Sequence, residues 1–307
     1  MKETFGQKTR RSHKRNQRVV MFWRAFVFAF VIAGVWLFRG TLFQNDSGAS
    51  SSGTNQSRHD ACGTADSRQK STDVTQAPMD HEVWKKLQDL VSQDQRVQQV
   101  IDNCEIYPED ILKMLSRNLD MLNFVLEYPE KVGQVFAETV GEVEGGEVPL
   151  LLQYDQRWGY GDYGNSSVAV SGCGPACLSM VITSLTGDDT ITPYVVAQYA
   201  SEQGYYVPGA GTAWTLMSEG AKHFGVIGEE LPLTKSIMEG VLKEGRPIIC
   251  SMRPGDFTTT GHFIVITGIK DGQFTVNDPN STERSNMLWD YDTLKPQISN
   301  LWAFQAL

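Results

Sequence analysis

Cys173, His262 and Asp278 occur in this chain in an order that would serve thiol acyl transfer, and the residues around each are suited to that chemistry. Gly172-Cys173-Gly174-Pro175-Ala176-Cys177 runs into a stretch where Leu178, Val181, Ile182 and Leu185 share one helical face, so a helix is predicted over Pro175–Thr186 with Gly187 as its C-terminal cap. A thiol at a helix N-terminus meets the positive end of the dipole and unpaired amide donors, which favour thiolate over thiol. The flanking glycines are read as leaving its sulfur open. Cys177, one turn further into the apolar helix, and Cys250, in Ile248-Ile249-Cys250, read as small buried core residues.

A thiolate nucleophile needs a base, and the base needs a third group to fix its ring. Gly261-His262-Phe263-Ile264-Val265-Ile266 opens a strand, and Asn277-Asp278-Pro279 follows its hairpin partner. The turn between them is Lys270-Asp271-Gly272, and its length decides which residue faces His262. A two-residue closure at Asp271-Gly272 would put Asn277 on the His262 face. A three-residue closure with a left-handed Gly272 would put Asp278 there, with Ile264, Ile266, Phe274 and Val276 gathered beside it. Packing favours the second register and therefore Asp278. Asn277 stays open as the alternative, because a neutral amide can also orient a histidine.

These motifs, with Gln153-Tyr154-Asp155-Gln156-Arg157-Trp158, make residues 148–307 resemble the C39-like peptidases, a papain-like cysteine peptidase family. The resemblance implies an α+β fold in which a helix bearing the Cys packs on an antiparallel sheet bearing His and Asp. It also implies that Cys173 is the nucleophile, His262 the base and Asp278 the orienting acid, with no metal or cofactor. The family's oxyanion-stabilising Gln usually lies just ahead of the Cys. Here the candidate is Gln153, 20 residues upstream, with Gln156 as a competitor.

Several elements must position these groups. Helices are predicted over 214–224 and 236–244, and strands over 247–252, 262–269, 274–277 and 301–305. Upstream, apolar residues repeat at helical spacing between residues 80 and 145, where Tyr107-Pro108-Glu109 and Tyr128-Pro129-Glu130 both read as helix starts. This region is read as a helical spacer packed on the next domain. Residues 39–79, including the Ser-, Gly- and Thr-rich segment around Cys62, read as a flexible stalk.

Charge and hydropathy organise the N-terminus. Residues 1–18 carry seven basic side chains against Glu3, a surplus of +6, so the rest of the chain must carry -15 to give the net -9. An acidic body repels phosphate, which argues against nucleic-acid binding. Residues 19–38 form a 20-residue apolar run broken only by Arg24, and 20 helical residues span a bilayer core of about 30 Å. Trp36-Leu37-Phe38-Arg39 is no signal-peptidase site, so a retained signal anchor is expected rather than a cleaved signal. The basic flank places residues 1–18 in the cytoplasm and everything after Phe38 outside the cell membrane.

Five cysteines are too few for a disulfide scaffold, and no paired CxxC or HExxH motif suggests a metal. The expected partners are therefore a peptide or protein substrate, the membrane, and the cell wall by proximity. Two rival classes remain. One is a cell-wall amidase or transglutaminase-like acyltransferase using the same thiol chemistry; the other is a non-catalytic surface module on the same fold. Wall amidases of the NlpC/P60 type normally place Cys and His closer than the 89 residues seen here.

Overall fold

The computed structural model describes residues 80–307. The basic tail, the expected anchor at 19–38, the stalk and Cys62 lie outside the described residues. No helix among the described residues is long and apolar enough to cross a membrane.

The described residues open with four short helices: α1 (His81–Val91), α2 (Val97–Asp102), α3 (Glu109–Leu115) and α4 (Leu122–Lys131). Asp80 caps α1 through its side chain, and Pro108 precedes α3 with Glu109 and Asp110 in the first turn, as Tyr107-Pro108-Glu109 implied. The second Tyr-Pro-Glu unit differs from expectation: Pro129 lies inside α4 rather than at a helix start. So close to the end of the helix its missing N–H removes one bond, while buried Phe124, Val125 and Tyr128 hold the turn.

These helices pack on the following domain. Leu87, Ile111, Leu115 and Phe124 share one core with Tyr154, Tyr160 and Ala169 of the following domain. Phe124 and Tyr160 stack with ring centroids 4.3 Å apart.

The following domain starts with a one-turn helix α5 (Val168–Ser171), the 14-residue α6 (Cys173–Thr186) and α7 (Pro193–Glu202). Helix α6 begins two residues earlier than the sequence suggested, making Cys173 its first helical residue, and ends at left-handed Gly187 with φ 72°. The stretch expected as one helix over 214–224 divides into α8 (Thr215–Ser218) and a 3₁₀ turn at Gly220–Phe224. Helix α9 (Lys235–Lys243) and the single turn α10 (Thr282–Ser285) follow.

Six antiparallel strands form the sheet: β1 (Val226–Glu230), β2 (Ile248–Met252), β3 (His262–Lys270), β4 (Gln273–Asn277), β5 (Leu288–Trp289) and β6 (Ile298–Ala306), in spatial order β1-β6-β2-β3-β4-β5. Strands β1 and β5 escaped the sequence reading because each is a short edge strand with little alternation. One face of the sheet contributes Ile249, Phe263, Val265 and Phe304 to a core shared with Val181 and Ile182 of α6. The other face packs Ile248, Cys250, Ile264 and Ile266 with Met238 of α9. Burial on both faces explains why β2 is apolar along its length instead of alternating.

The β3–β4 hairpin contains both registers that the sequence left in competition. Its turn is the two-residue closure: Asp271 and Gly272 have φ of 53° and 78°, and Lys270 pairs with Gln273. Asp-Gly suits this turn because both central residues need positive φ. The pairing then shifts between Ile266 and Gly268, and beyond that bulge Ile266 pairs with Val276 and Val265 with Asn277. The register near the site is therefore the one packing selected, but a bulge at Thr267 produces it, not a three-residue turn. The extra residue places Ile264, Ile266, Phe274 and Val276 in a single cluster.

Candidate active site

Helix α6 presents Cys173 at its N-terminal end, partly buried and packed against the core between α6 and the sheet. The two adjacent glycines have steric causes that the sequence reading did not see. A Cβ on Gly174 would stand 2.7 Å from Thr212 Oγ1, and one on Gly172 would stand 2.4 Å from Val168 O. Thr212 is held in turn by a 2.8 Å hydrogen bond with the Tyr163 hydroxyl. The glycines let the neighbouring segments close around the thiol.

His262 is the first residue of β3, and Asp278 follows the last residue of β4. The imidazole Nε2 lies 2.8 Å from Asp278 Oδ1. Asn277, the alternative, turns elsewhere: its Nδ2 donates to Val148 O at 2.9 Å. Burial disfavours a charged imidazole, but the Asp278 carboxylate and a hydrogen bond to Cys173 outweigh it, so the His262 pKa is pushed up to about 10. With Nε2 engaged by Asp278, the other ring nitrogen is the one left for the thiol.

Asp278 is fully buried, which alone would raise its pKa. His262 and Arg284 overcome that penalty and lower it. Its carboxylate is well supplied with donors: Oδ1 also accepts from the Asn280 N–H at 2.8 Å, and Oδ2 accepts from Arg284 Nε at 2.5 Å. The Asp278 N–H donates to Ser285 Oγ at 2.9 Å. Arg284, on α10, was missed in the sequence. An arginine six residues beyond Asp278 carries no signal until a helical turn folds it back.

Gln153 bridges the two halves of this site. Its backbone N–H donates to Pro279 O at 2.8 Å, and its Nε2 donates to Ala169 O at 2.6 Å, just ahead of the Cys173 helix. That bond takes one of the two N–H groups of a primary amide. The Gln153 Oε1 is buried with no hydrogen-bond partner among the described residues. Gln156 instead engages the Tyr160 hydroxyl, on the core shared with the N-terminal helices.

Trp158 and Tyr160 are fully buried, whereas Trp214 is 48 % exposed, with its indole N–H on Ser251 Oγ at 3.1 Å. Burial pushes the Cys177 and Cys250 thiols well up, which suits inert core residues. No group of His, Cys, Asp and Glu among the described residues could hold a metal ion.

Residues 146–305, just over half of the chain, match the Peptidase_C39 like family. The chain belongs to that family. A solved structure described as that of a putative C39-like peptidase from Bacillus anthracis aligns with 52% of this chain and 94% of its own, at 12% identity and a TM-score of 0.31. No curated protein matches the chain. The family match begins after the four N-terminal helices, so the core those helices share with Tyr154, Tyr160 and Ala169 joins the C39-like domain to a part of the chain outside the match.

Proposed function

We propose that this C39-like protein is a membrane-anchored, extracytoplasmic cysteine peptidase with Cys173 as nucleophile, His262 as general base and acid, and Asp278 as the group that orients the imidazole. The observation that carries this reading is the 2.8 Å pairing of His262 Nε2 with the buried Asp278 carboxylate.

In the first step the Cys173 sulfur attacks the scissile carbonyl carbon, and the thiol proton passes to His262. The amides at the start of α6, with the second N–H of Gln153, stabilise the oxyanion. Collapse of the tetrahedral species breaks the C–N bond, and His262 gives its proton to the leaving amine. Water, deprotonated by the same imidazole, then hydrolyses the thioester and restores the thiol.

Incubating the full chain in detergent with a peptide library and with purified cell wall tests the reaction. Cleavage of peptides that is lost in Cys173→Ala supports the peptidase. Wall-bond hydrolysis alone would assign the amidase chemistry, and no Cys173-dependent turnover on either would return the domain to a binding role. The anchor rests on the apolar run at 19–38 beside seven basic residues. The protein should fractionate with membranes, and quantitative release of a form starting after residue 48 would contradict it.

A further inference from the structure

Two adjacent residues of the N-terminal helical region reach the two loops that carry the candidate base and acid. Asn118, just beyond α3, donates from Nδ2 to Asn280 O at 2.8 Å. Asn280 in turn donates its backbone N–H to Asp278 Oδ1, the same oxygen that His262 Nε2 meets at 2.8 Å. Asn280's own Oδ1 is buried without a partner among the described residues, so its backbone bonds are what hold it. Asn118 is itself fixed, because its Oδ1 accepts the Asp120 N–H at 3.1 Å as an N-cap. Beside it, Arg117 Nη1 donates to Thr259 Oγ1 at 3.3 Å, three residues before His262. Both residues lie outside the stretch that matches the family.

We propose that the helical region is a clamp on the site, and that Asn118 is a positioning residue that sets Asp278, and through it His262, by gripping Asn280. This rests on the peptidase reading above. The charge of Asp278 does not depend on Asn118, since Arg284 stays bound to it. What the clamp supplies is placement of the loop after β4. Cys173 from α6 and Asp278 are the ionisable groups facing His262, with Arg284 from α10 behind Asp278. Arg117 is directed to Thr259, so losing the Asn118 grip changes geometry rather than local charge.

The test uses the full chain and the rate at which iodoacetamide modifies Cys173 across a pH series. Asn118→Ser keeps an oxygen to cap Asp120 but cannot reach Asn280. This variant should slow alkylation at neutral pH about tenfold, the effect of roughly one unit in the pairing of His262 with Cys173, and move the pH at which alkylation rises upward. Leu115→Ala, a core change in α3 that destabilises the same region, serves as the control and should leave the pH profile in place. An Asn118→Ser variant that matches the wild-type profile, or a Leu115→Ala variant that reproduces its shift, would overturn the clamp. If the wild-type chain does not modify Cys173 ahead of Cys177 and Cys250, the peptidase reading fails instead.

Discussion

At the scale of single residues, Asp278 is bonded through both carboxylate oxygens. It is fully buried, faces an imidazole on one oxygen and a guanidinium on the other, and takes a third bond from a backbone amide. The two pKa shifts act on stability over different pH ranges. Asp278 is lowered below its ordinary 3.8, so its contribution is complete above that pH and is lost as pH falls through the folded value. His262 is raised from 6.5 to about 10, so its contribution is complete below pH 6.5 and is lost as pH rises toward 10. The stability difference between wild type and Asp278→Asn, measured by urea unfolding, should therefore be largest between about pH 4 and 6.5 and shrink toward pH 10. A difference that grows above pH 6.5 would contradict the assignment. The same variant should lower turnover on the order of hundredfold. Asn277→Ala loses a bond to Val148 O worth about 1 kcal/mol and should leave turnover nearly intact.

Among the elements, the β3–β4 hairpin shows what a sequence conveys and what it does not. The apolar spacing of Ile264, Ile266, Phe274 and Val276 was enough to choose the register at the site. Nothing local announced that Thr267 would bulge, because a bulge is fixed by reconciling a two-residue turn with a buried face further along the strands. Helix α6, with its strong apolar face and Gly187 stop, was legible nearly to the residue. Arg284 was not, since its role depends on a helical turn after the loop. Asn118 was not, since its partner is 162 residues away.

The hairpin also separates the turn from the site. Gly272→Val forces a branched side chain into φ 78° and should cost about 1–2 kcal/mol in thermal unfolding. The bulge, not the turn, sets the pairing beyond Ile266, so the reactivity of Cys173 in the folded variant should be unchanged. Loss of that reactivity with the fold retained would show that the turn sets the register after all.

For the molecule as a whole, the domain boundary read from composition at residue 148 does not divide the hydrophobic core. Tyr154, Tyr160 and Ala169 bury themselves against Phe124, Ile111 and Leu115. A fragment beginning at residue 148 would expose that face, whereas one beginning at residue 80 keeps it covered. Expressed side by side, the shorter fragment should melt at lower temperature and associate at concentrations where the longer stays monomeric. Equal melting temperatures would show that the helices add nothing to the fold of the family domain.

On the proposed mechanism Cys173, and not Cys177 or Cys250, is an activated thiol, and His262 activates it. Mass-spectrometric mapping of iodoacetamide adducts on the native chain at near-neutral pH tests this directly. Cys173 should be modified well before Cys177 or Cys250, whose buried thiols are pushed up, and His262→Ala should abolish that preference while the protein stays folded. Preferential labelling of Cys177, or a Cys173 rate that His262→Ala leaves unchanged, would contradict the account.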